Sequence, residues 1–292
     1  MLLPTFEFHE PGSIEKALVL KKQYNAGARF LAGGTDLLVY LKKKIVSTDH
    51  VISLQRIDGL SEIRENESDL FIGACTTMAA ISRHPVVQKK FCALKSGADN
   101  MGTHLIRNRA TIGGNVCNAS PAGDTLPALL VYDAVALVES PDGKRDIPLT
   151  DFFKGPGKTD LKNDDILTGF RLPYPPDHSG AHYIQLGKRK SAEINVVNAA
   201  SFLTIDPGTG NILSVRIALG SVAPTPIRAP EAEASLMGHT AGDDAFNAAA
   251  EIARFKDCSP IDDFRGSAAY RRAMVGVLTK RTLAAAFDQA RA

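Results

Sequence analysis

Residues 109–124 read RATIGGNVCNASPAGD: a hydroxyl at Thr111, adjacent glycines at Gly113 and Gly114, an amide at Asn115 and, nine positions on, an acid at Asp124. Glycine loses more backbone freedom on folding than any other residue, so a pair of them is costly inside regular structure. The pair is therefore expected in a tight turn, at a close approach of backbone to a ligand, or both. Gly114 in particular is read as needing that approach, with positive φ as one way to achieve it. LAGGTD, residues 31–36, repeats the plan. Each stretch sets a hydroxyl or amide beside two glycines, so backbone N–H groups and short polar side chains can converge on an anion. In LAGGTD the turn also opens a helix, whose first amides favour negative charge. Two such turns meeting in space suit a pyrophosphate. Taken singly, each is equally readable as an ordinary strand-end turn.

The whole chain narrows the choice of ligand. At 292 residues it is long enough for about two domains. With 44% hydrophobic and 23% charged residues it has the composition of an ordinary globular protein. A net charge of +2 offers no footprint for nucleic acid or acidic lipid. The start, MLLPTFEFHEPGS, has neither a basic segment nor a sustained apolar run, so no secretory signal is expected and the sequon at Asn118 carries no meaning. The longest apolar run, ALLVYDAVALV, is interrupted by Asp133 and falls short of the ~20 residues a membrane helix needs. A cytoplasmic chain without membrane insertion is expected. Cys75, Cys92, Cys117 and Cys258 form no C-x-x-C pair and are expected to be buried, unligated thiols. The seven histidines show no ligand spacing such as H-x-x-x-H, so no metal is expected.

Periodicity outlines the elements. Ser13 is suited to cap a helix from Ile14 to about Tyr24. RFLA and HVISL read as strands flanking a helix that starts at Asp36 and ends in three lysines, a β-turn-α-β unit within residues 28–54. From Ile57 to about Pro176, strands DLFIGA, AVALVES and ILTGFRL alternate with helical patches VVQKKFCALKSGADNMG and TLPALLVYD, which predicts α+β. PYPPDHSG, residues 173–180, reads as a linker. HYIQLGKRK, VVNAASFLTID and NILSVRIALGSV predict an antiparallel meander, and the chain beyond Pro230 reads as helical to its end.

Other signatures fail. No G-x-G-x-x-G follows a strand. GPGKT, residues 155–159, imitates a P-loop, but Phe152 stands where the pattern demands glycine, so it reads as a turn. No G-x-S-x-G elbow or cysteine–histidine motif signals a nucleophile. Lys188-Arg189-Lys190 reads as a solvated strand face rather than a phosphate clamp. A nucleotide-type ligand held largely by backbone survives.

LAGGTDLLVYLK, RNRATIGGNVCNASPAGDTLPALLVYDAVALV, DDILTGFRLP and ALGSVAPTPIRAPEAE together resemble the FAD-binding medium subunit of molybdenum hydroxylases, the group of xanthine, carbon monoxide and nicotinate dehydrogenases. The likeness runs from about Phe6 to the C-terminal helices. It implies an α+β fold of the vanillyl-alcohol-oxidase or p-cresol-methylhydroxylase type: an FAD-binding domain over 1–176, with subdomains of about 1–56 and 57–176, and a C-terminal domain of antiparallel sheet and helices over 177–292. It implies noncovalent FAD, its pyrophosphate between Phe30, Leu31, Ala32, Gly33, Gly34, Thr35 and Asp36 on one side and Thr111, Ile112, Gly113, Gly114 and Asn115 on the other. Asp124 would hold the sugar portion. Met101, Leu167 and Ile194 would line the flavin. No catalytic acid, base or nucleophile is implied, since the flavin carries the chemistry.

The resemblance further implies an electron-transfer subunit. Molybdopterin would sit on a large partner, [2Fe–2S] clusters on a small one, and the assembly would be a dimer of heterotrimers delivering electrons to a soluble acceptor. Many members carry a lysine at the position of Ile184; here Lys188 or Arg189 substitutes, or the contact is absent. The compact run from Asn115 to Asp124 leaves no room for the cysteine-rich loop of the aryl-CoA reductases, so no cluster is expected on this chain. Two alternatives stand beside this reading. A stand-alone flavoenzyme resembling the UDP-N-acetylmuramate-forming reductase would need its own substrate clamp and proton donor. A non-catalytic nucleotide-binding protein would lack flavin colour.

Overall fold

The computed structural model describes residues 2–189 and 192–292, so Lys190 of the basic run lies outside the described residues. Ser13 caps the first helix, Ile14–Tyr24, by accepting from the Lys16 amide, and Lys21 and Lys22 complement its last turn. Around it the first sheet takes the order β1 (Glu7–His9), β3 (His50–Ser53), β2 (Ala28–Leu31), all parallel. β2, the helix Leu37–Lys42 and β3 form the expected β-turn-α-β unit. That helix is shorter than its three lysines suggest. Lys43 caps its end and Lys44 takes a left-handed φ of 57°, so only Lys42 is helical. β1 is an addition to the predicted elements, too short to show a period.

The second sheet is antiparallel, in the order β4 (Ile63–Glu65), β5 (Asp69–Gly73), β10 (Ile166–Pro173), β6 (Val135–Ser140), β7 (Gly143–Pro148). The three predicted strands form its centre. β8 (Phe153–Gly155) and β9 (Lys158–Thr159) make a hairpin, so GPGKT is a turn, with Gly157 at φ +68°. The expected helical patch after Val86 splits into Pro85–Lys90 and Cys92–Asn100, because Phe91 leaves helical geometry at φ −127°, ψ 48°. Leu126–Val131 is buried along its whole length.

The third sheet is the predicted meander: β11 (Ser179–Leu186), β12 (Val197–Ile205), β13 (Ile212–Gly220) and β14 (Ile227–Arg228). Between β10 and β11 only residues 174–178 remain of the expected linker. All nine residues of β12 are buried, because both faces of this sheet are covered. Ala181, Tyr183, Ala200, Phe202 and Ala218 join the core that contains Leu129 and Tyr132. The alternate residues Ala199, Leu203 and Ile205 join a second core with Val275, Leu278 and Ala286 of the helix Ala268–Arg291. That helix crosses β11 so closely that a Cβ on Gly180 would lie 2.0 Å from the Ala286 carbonyl oxygen. The region after Pro230 is interrupted rather than continuously helical: Pro230–Leu236 and Asp243–Ile252, the latter running on to Asp257 as a π turn, precede an irregular stretch over 258–267. Asp263 and Arg265 make local turn contacts there that replace helical ones.

Phe202 is 2% exposed and packs edge-on against Tyr132 across the junction of the third sheet with the buried helix Leu126–Val131. Phe202→Ala is expected to lower the unfolding free energy by about 3–5 kcal/mol. Calorimetry should show one transition for the variant and the parent alike, because the core spans residues from 70 to 218. A separate early transition for either part would contradict this.

Candidate cofactor-binding site

β2 delivers the chain to the first glycine loop through the half-buried Phe30, Leu31 and Ala32. A Cβ on Gly33 would lie 2.1 Å from the Arg109 carbonyl oxygen, so the two glycine-bearing segments meet backbone to backbone and only glycine fits. Gly34 takes φ +78°, the left-handed turn that redirects the chain into the helix Leu37–Lys42. Among the described residues, the amides of Gly33, Gly34, Thr35 and Asp36 donate no hydrogen bond. Four unspent donors on successive residues are the kind of backbone run that can receive an anion. Asp36 is at the N-cap but its side chain makes no capping bond, and partial burial raises its carboxyl pKa.

The second motif is built differently from the paired-turn expectation. Thr111 caps the helix Ile112–Asn118, its Oγ1 accepting from the Gly114 amide at 3.1 Å. The Ile112 amide donates to Thr76 O at 3.0 Å, that of Gly113 to Ala74 O at 2.8 Å, and that of Asn115 to Thr111 O at 3.0 Å. Every amide from Ile112 to Asn115 is spent, so this motif is a capped helix start and not a donor turn. Gly114 has ordinary helical φ, and a Cβ there would meet only Thr111 Oγ1 at 3.0 Å. The close approach falls on Gly113, whose Cβ would lie 2.6 Å from Ala74 O. What remains available is the Asn115 side chain. Its Oδ1 accepts from Thr125 Oγ1 at 2.7 Å, and its Nδ2 donates to nothing among the described residues.

Asp124 lies in a loop gripped by the third sheet. Asn195 Nδ2 donates to Asp124 Oδ1 at 2.9 Å and to Ala122 O at 3.1 Å. Asn198 Nδ2 donates to Gly123 O at 3.2 Å, and the Ser221 amide donates to Pro121 O at 2.7 Å. Arg271, 4% exposed, holds Val196 O and Ser221 O from beneath at 2.7 and 2.8 Å. Burial raises the Asp124 carboxyl pKa to about 6, against the opposing pull of the Asn195 hydrogen bond. Asn195, Asn198 and Arg271 escape a motif search. The two asparagines still carry a signal, since polar side chains inside the apolar run INVVNAASFL must find buried partners.

The three apolar candidates reach this network by different routes. Leu167, 5% exposed, precedes the bulge in β10 whose Thr168 O accepts from the Ala74 amide at 3.0 Å, one residue contact from Gly113. Met101, 8% exposed, ends the helix Cys92–Asn100, whose Gly97 packs against Asp124 O. Ile194 is 51% exposed and directly precedes Asn195. Of the two alternatives to the absent lysine, Lys188 Nζ donates to Phe264 O at 2.7 Å, and Arg189 pairs with Glu193 at 2.8 Å. Ile184 packs against the second core. The cysteines also depart from expectation, for Cys117 is exposed and Cys92 half-buried, while Cys75 and Cys258 are buried. Cys117 keeps solvent contact among close neighbours, and desolvation, with Cys75 nearby, pushes its thiol up to about 12.

Residues 4–175 match the family described as the FAD binding domain in molybdopterin dehydrogenase, and residues 182–286 match the CO dehydrogenase flavoprotein C-terminal domain. The chain is 34% identical to a carbon monoxide dehydrogenase medium chain of Hydrogenophaga pseudoflava, covering 98% of this chain and 99% of that one. It is 31% identical to a putative xanthine dehydrogenase FAD-binding subunit of Escherichia coli, covering 96% and 95%. A solved carbon monoxide dehydrogenase from H. pseudoflava, lacking the Mo-pyranopterin moiety of its molybdenum cofactor, superposes with a TM-score of 0.94 over 99% of both chains at 34% identity. With both matched regions in the same order and nearly the whole length shared, the chain belongs to the family of FAD-binding medium subunits of the molybdopterin dehydrogenases.

Proposed function

We propose that this chain is the FAD-carrying electron-transfer subunit of a molybdenum hydroxylase. The observation that carries the reading is the run of unspent amides from Gly33 to Asp36, in a chain whose family binds a pyrophosphate-bearing cofactor. These amides would hold the pyrophosphate, and Asn115 Nδ2 would add a donor from the facing helix start, with Thr111, Ile112, Gly113 and Gly114 shaping the wall. Asp124, ionised and positioned by Asn195, would accept from the sugar hydroxyls. Leu167, Met101 and Ile194 would bound the flavin. When bound, the isoalloxazine supplies the electron-accepting chemistry, so no side chain here is assigned as acid, base or nucleophile. FAD would be noncovalent: Cys117 is the thiol nearest the motif, and one held up to about 12 is a poor nucleophile. The finer fold assignment, two subdomains of the vanillyl-alcohol-oxidase type over 1–176 and a C-terminal domain over 177–292, belongs to the same proposal.

The partners would be a large molybdopterin-binding subunit and a small [2Fe–2S] subunit, assembled as a cytoplasmic dimer of heterotrimers. Among the described residues no helix is long and apolar enough to cross a membrane. Phe255, Ile261 and Phe264 leave 62%, 72% and 81% of their surface exposed, apolar area of the kind a subunit contact covers.

Three outcomes test the proposal. Gly33→Val is expected to weaken FAD binding by roughly ten- to a hundredfold, because separating the two segments strains packed backbone. Gly114→Ala should be far milder, and equal loss in both, measured as flavin fluorescence released on acid precipitation, would move the site away from Gly33. FAD affinity should fall as pH drops through about 6, where Asp124 takes up its proton and ceases to be a full acceptor. The sign is set by the raised pKa: burial of the ionised carboxylate costs stability above about 4, and cofactor hydroxyls recover it only in the ionised form. Asn195→Ala should move that midpoint upward and Asp124→Asn should remove it, as followed by fluorescence titration. Finally, a native pull-down should recover iron and molybdenum with the chain. Recovery of the chain alone, turning over a substrate with neither metal, would establish the stand-alone flavoenzyme instead.

A further inference from the structure

The first sheet brings together three side chains that the sequence keeps apart. β1 pairs in parallel with β3 so that Glu7 stands opposite His50, and His9 follows Glu7 by two residues. In a strand, residues two apart share a face, so all three project to one side. His9 Nε2 lies 3.2 Å from His50 Nδ1, His50 Nδ1 lies 3.3 Å from Glu7 Oε2, and His9 Nε2 lies 3.9 Å from the same oxygen. Glu7 Oε2 meets no lysine or arginine among the described residues; its only ion-pair partners are the two imidazoles.

We infer that Glu7, His9 and His50 form a divalent-cation site of the zinc class, with two imidazole nitrogens and one carboxylate oxygen as ligands and a fourth position open to solvent. The ligand types are those zinc takes. Metal–ligand bonds of about 2.0–2.1 Å in tetrahedral array put neighbouring ligand atoms about 3.3–3.4 Å apart. An octahedral face with bonds near 2.1 Å would set them closer, at about 3.0 Å. The observed edges all exceed the octahedral value and two fall within about 0.2 Å of the tetrahedral one. Closing the third edge needs only a rotation of Glu7, whose side chain is 70% exposed and free to swing.

The imidazoles are already oriented. Tyr24, the last residue of the helix Ile14–Tyr24, stacks on the His50 ring with centroids 3.6 Å apart and on the His9 ring at 5.1 Å. The histidine side chains are 18% and 19% exposed, so they are held yet reachable. The cluster lies at the start of strands whose other ends lead toward the Gly33 loop, since His50 is opposite Ala28 and Ser53 is opposite Leu31. A cation there ties the short β1 to β3 without touching the cofactor loop.

The test uses the full-length chain without a histidine tag, stripped with a chelator and titrated with zinc by calorimetry. About one zinc per chain is expected, with an X-ray absorption spectrum showing imidazole scattering and bonds of about 2.0–2.1 Å. His50→Ala should weaken zinc binding by on the order of a hundredfold and Glu7→Gln by about tenfold. Glu7→Gln alters an exposed side chain, so it reports on the site even if the histidine variants fold poorly. Flavin content should be the same with and without zinc. Absence of stoichiometric binding, a spectrum without imidazole scattering, or affinity unchanged in Glu7→Gln and in His9→Ala/His50→Ala would overturn the site and leave the three groups as a hydrogen-bonded cluster.

Discussion

The contact between Gly33 and the Arg109 carbonyl is the constraint around which the candidate site is arranged. No side chain larger than hydrogen fits there, and the contact joins the parallel β-α-β unit to the α+β region that follows it. Beside that contact the amides of residues 33–36 find no acceptor among the described residues. Tyr40 Oη, donating to Asn118 Oδ1 at 3.4 Å, adds a second tie between the same two regions. The two glycine motifs therefore differ: one leaves its backbone amides unspent, and the other spends all of its backbone amides and leaves only the Asn115 side-chain amide.

The acidic side of the site depends on the third sheet instead. Arg271 neutralises two carbonyls beneath residues 196 and 221, those segments hold the loop 121–124, and Asn195 fixes the carboxylate itself. A buried Arg at 4% exposure is tolerable because Asp263 also pairs with it at 2.7 Å. The loop that carries Asp124 is thus tied, through the segments at residues 195–196 and 221, to a helix more than a hundred residues downstream in sequence.

Much of this architecture is legible in the sequence. The cap at Ser13, the meander and the central strands of the second sheet follow from local period and turn chemistry, which act over a few residues. The glycine motifs stand out in the sequence as candidates, but not the difference in how they use their amides, since whether an amide is spent depends on Ala74 and Thr76 arriving from elsewhere in the chain. The same limit explains β1, whose three residues gain a partner only through parallel pairing with β3, and the cluster of Glu7, His9 and His50, which no spacing along the chain reveals. The exposed Cys117 was misread for the complementary reason. Composition places free thiols inside, whereas this one stays exposed on a short helix whose placement is set only by folding.

The third sheet, covered on both faces, has a consequence for how the chain is made. The residues up to about 175 emerge from the ribosome first, and their core lacks Ala181, Tyr183, Ala200, Phe202 and Ala218 until the meander follows. The apolar face around Leu129 and Tyr132 therefore stays uncovered during synthesis of the next forty or so residues, through the pairing of β11, β12 and β13. The loop that carries Asp124 waits on the same event, because it has no anchor until Asn195 and Ser221 arrive. The nascent chain is thus exposed to misassociation in the interval before its last sheet closes, and chaperone binding during translation should be concentrated there.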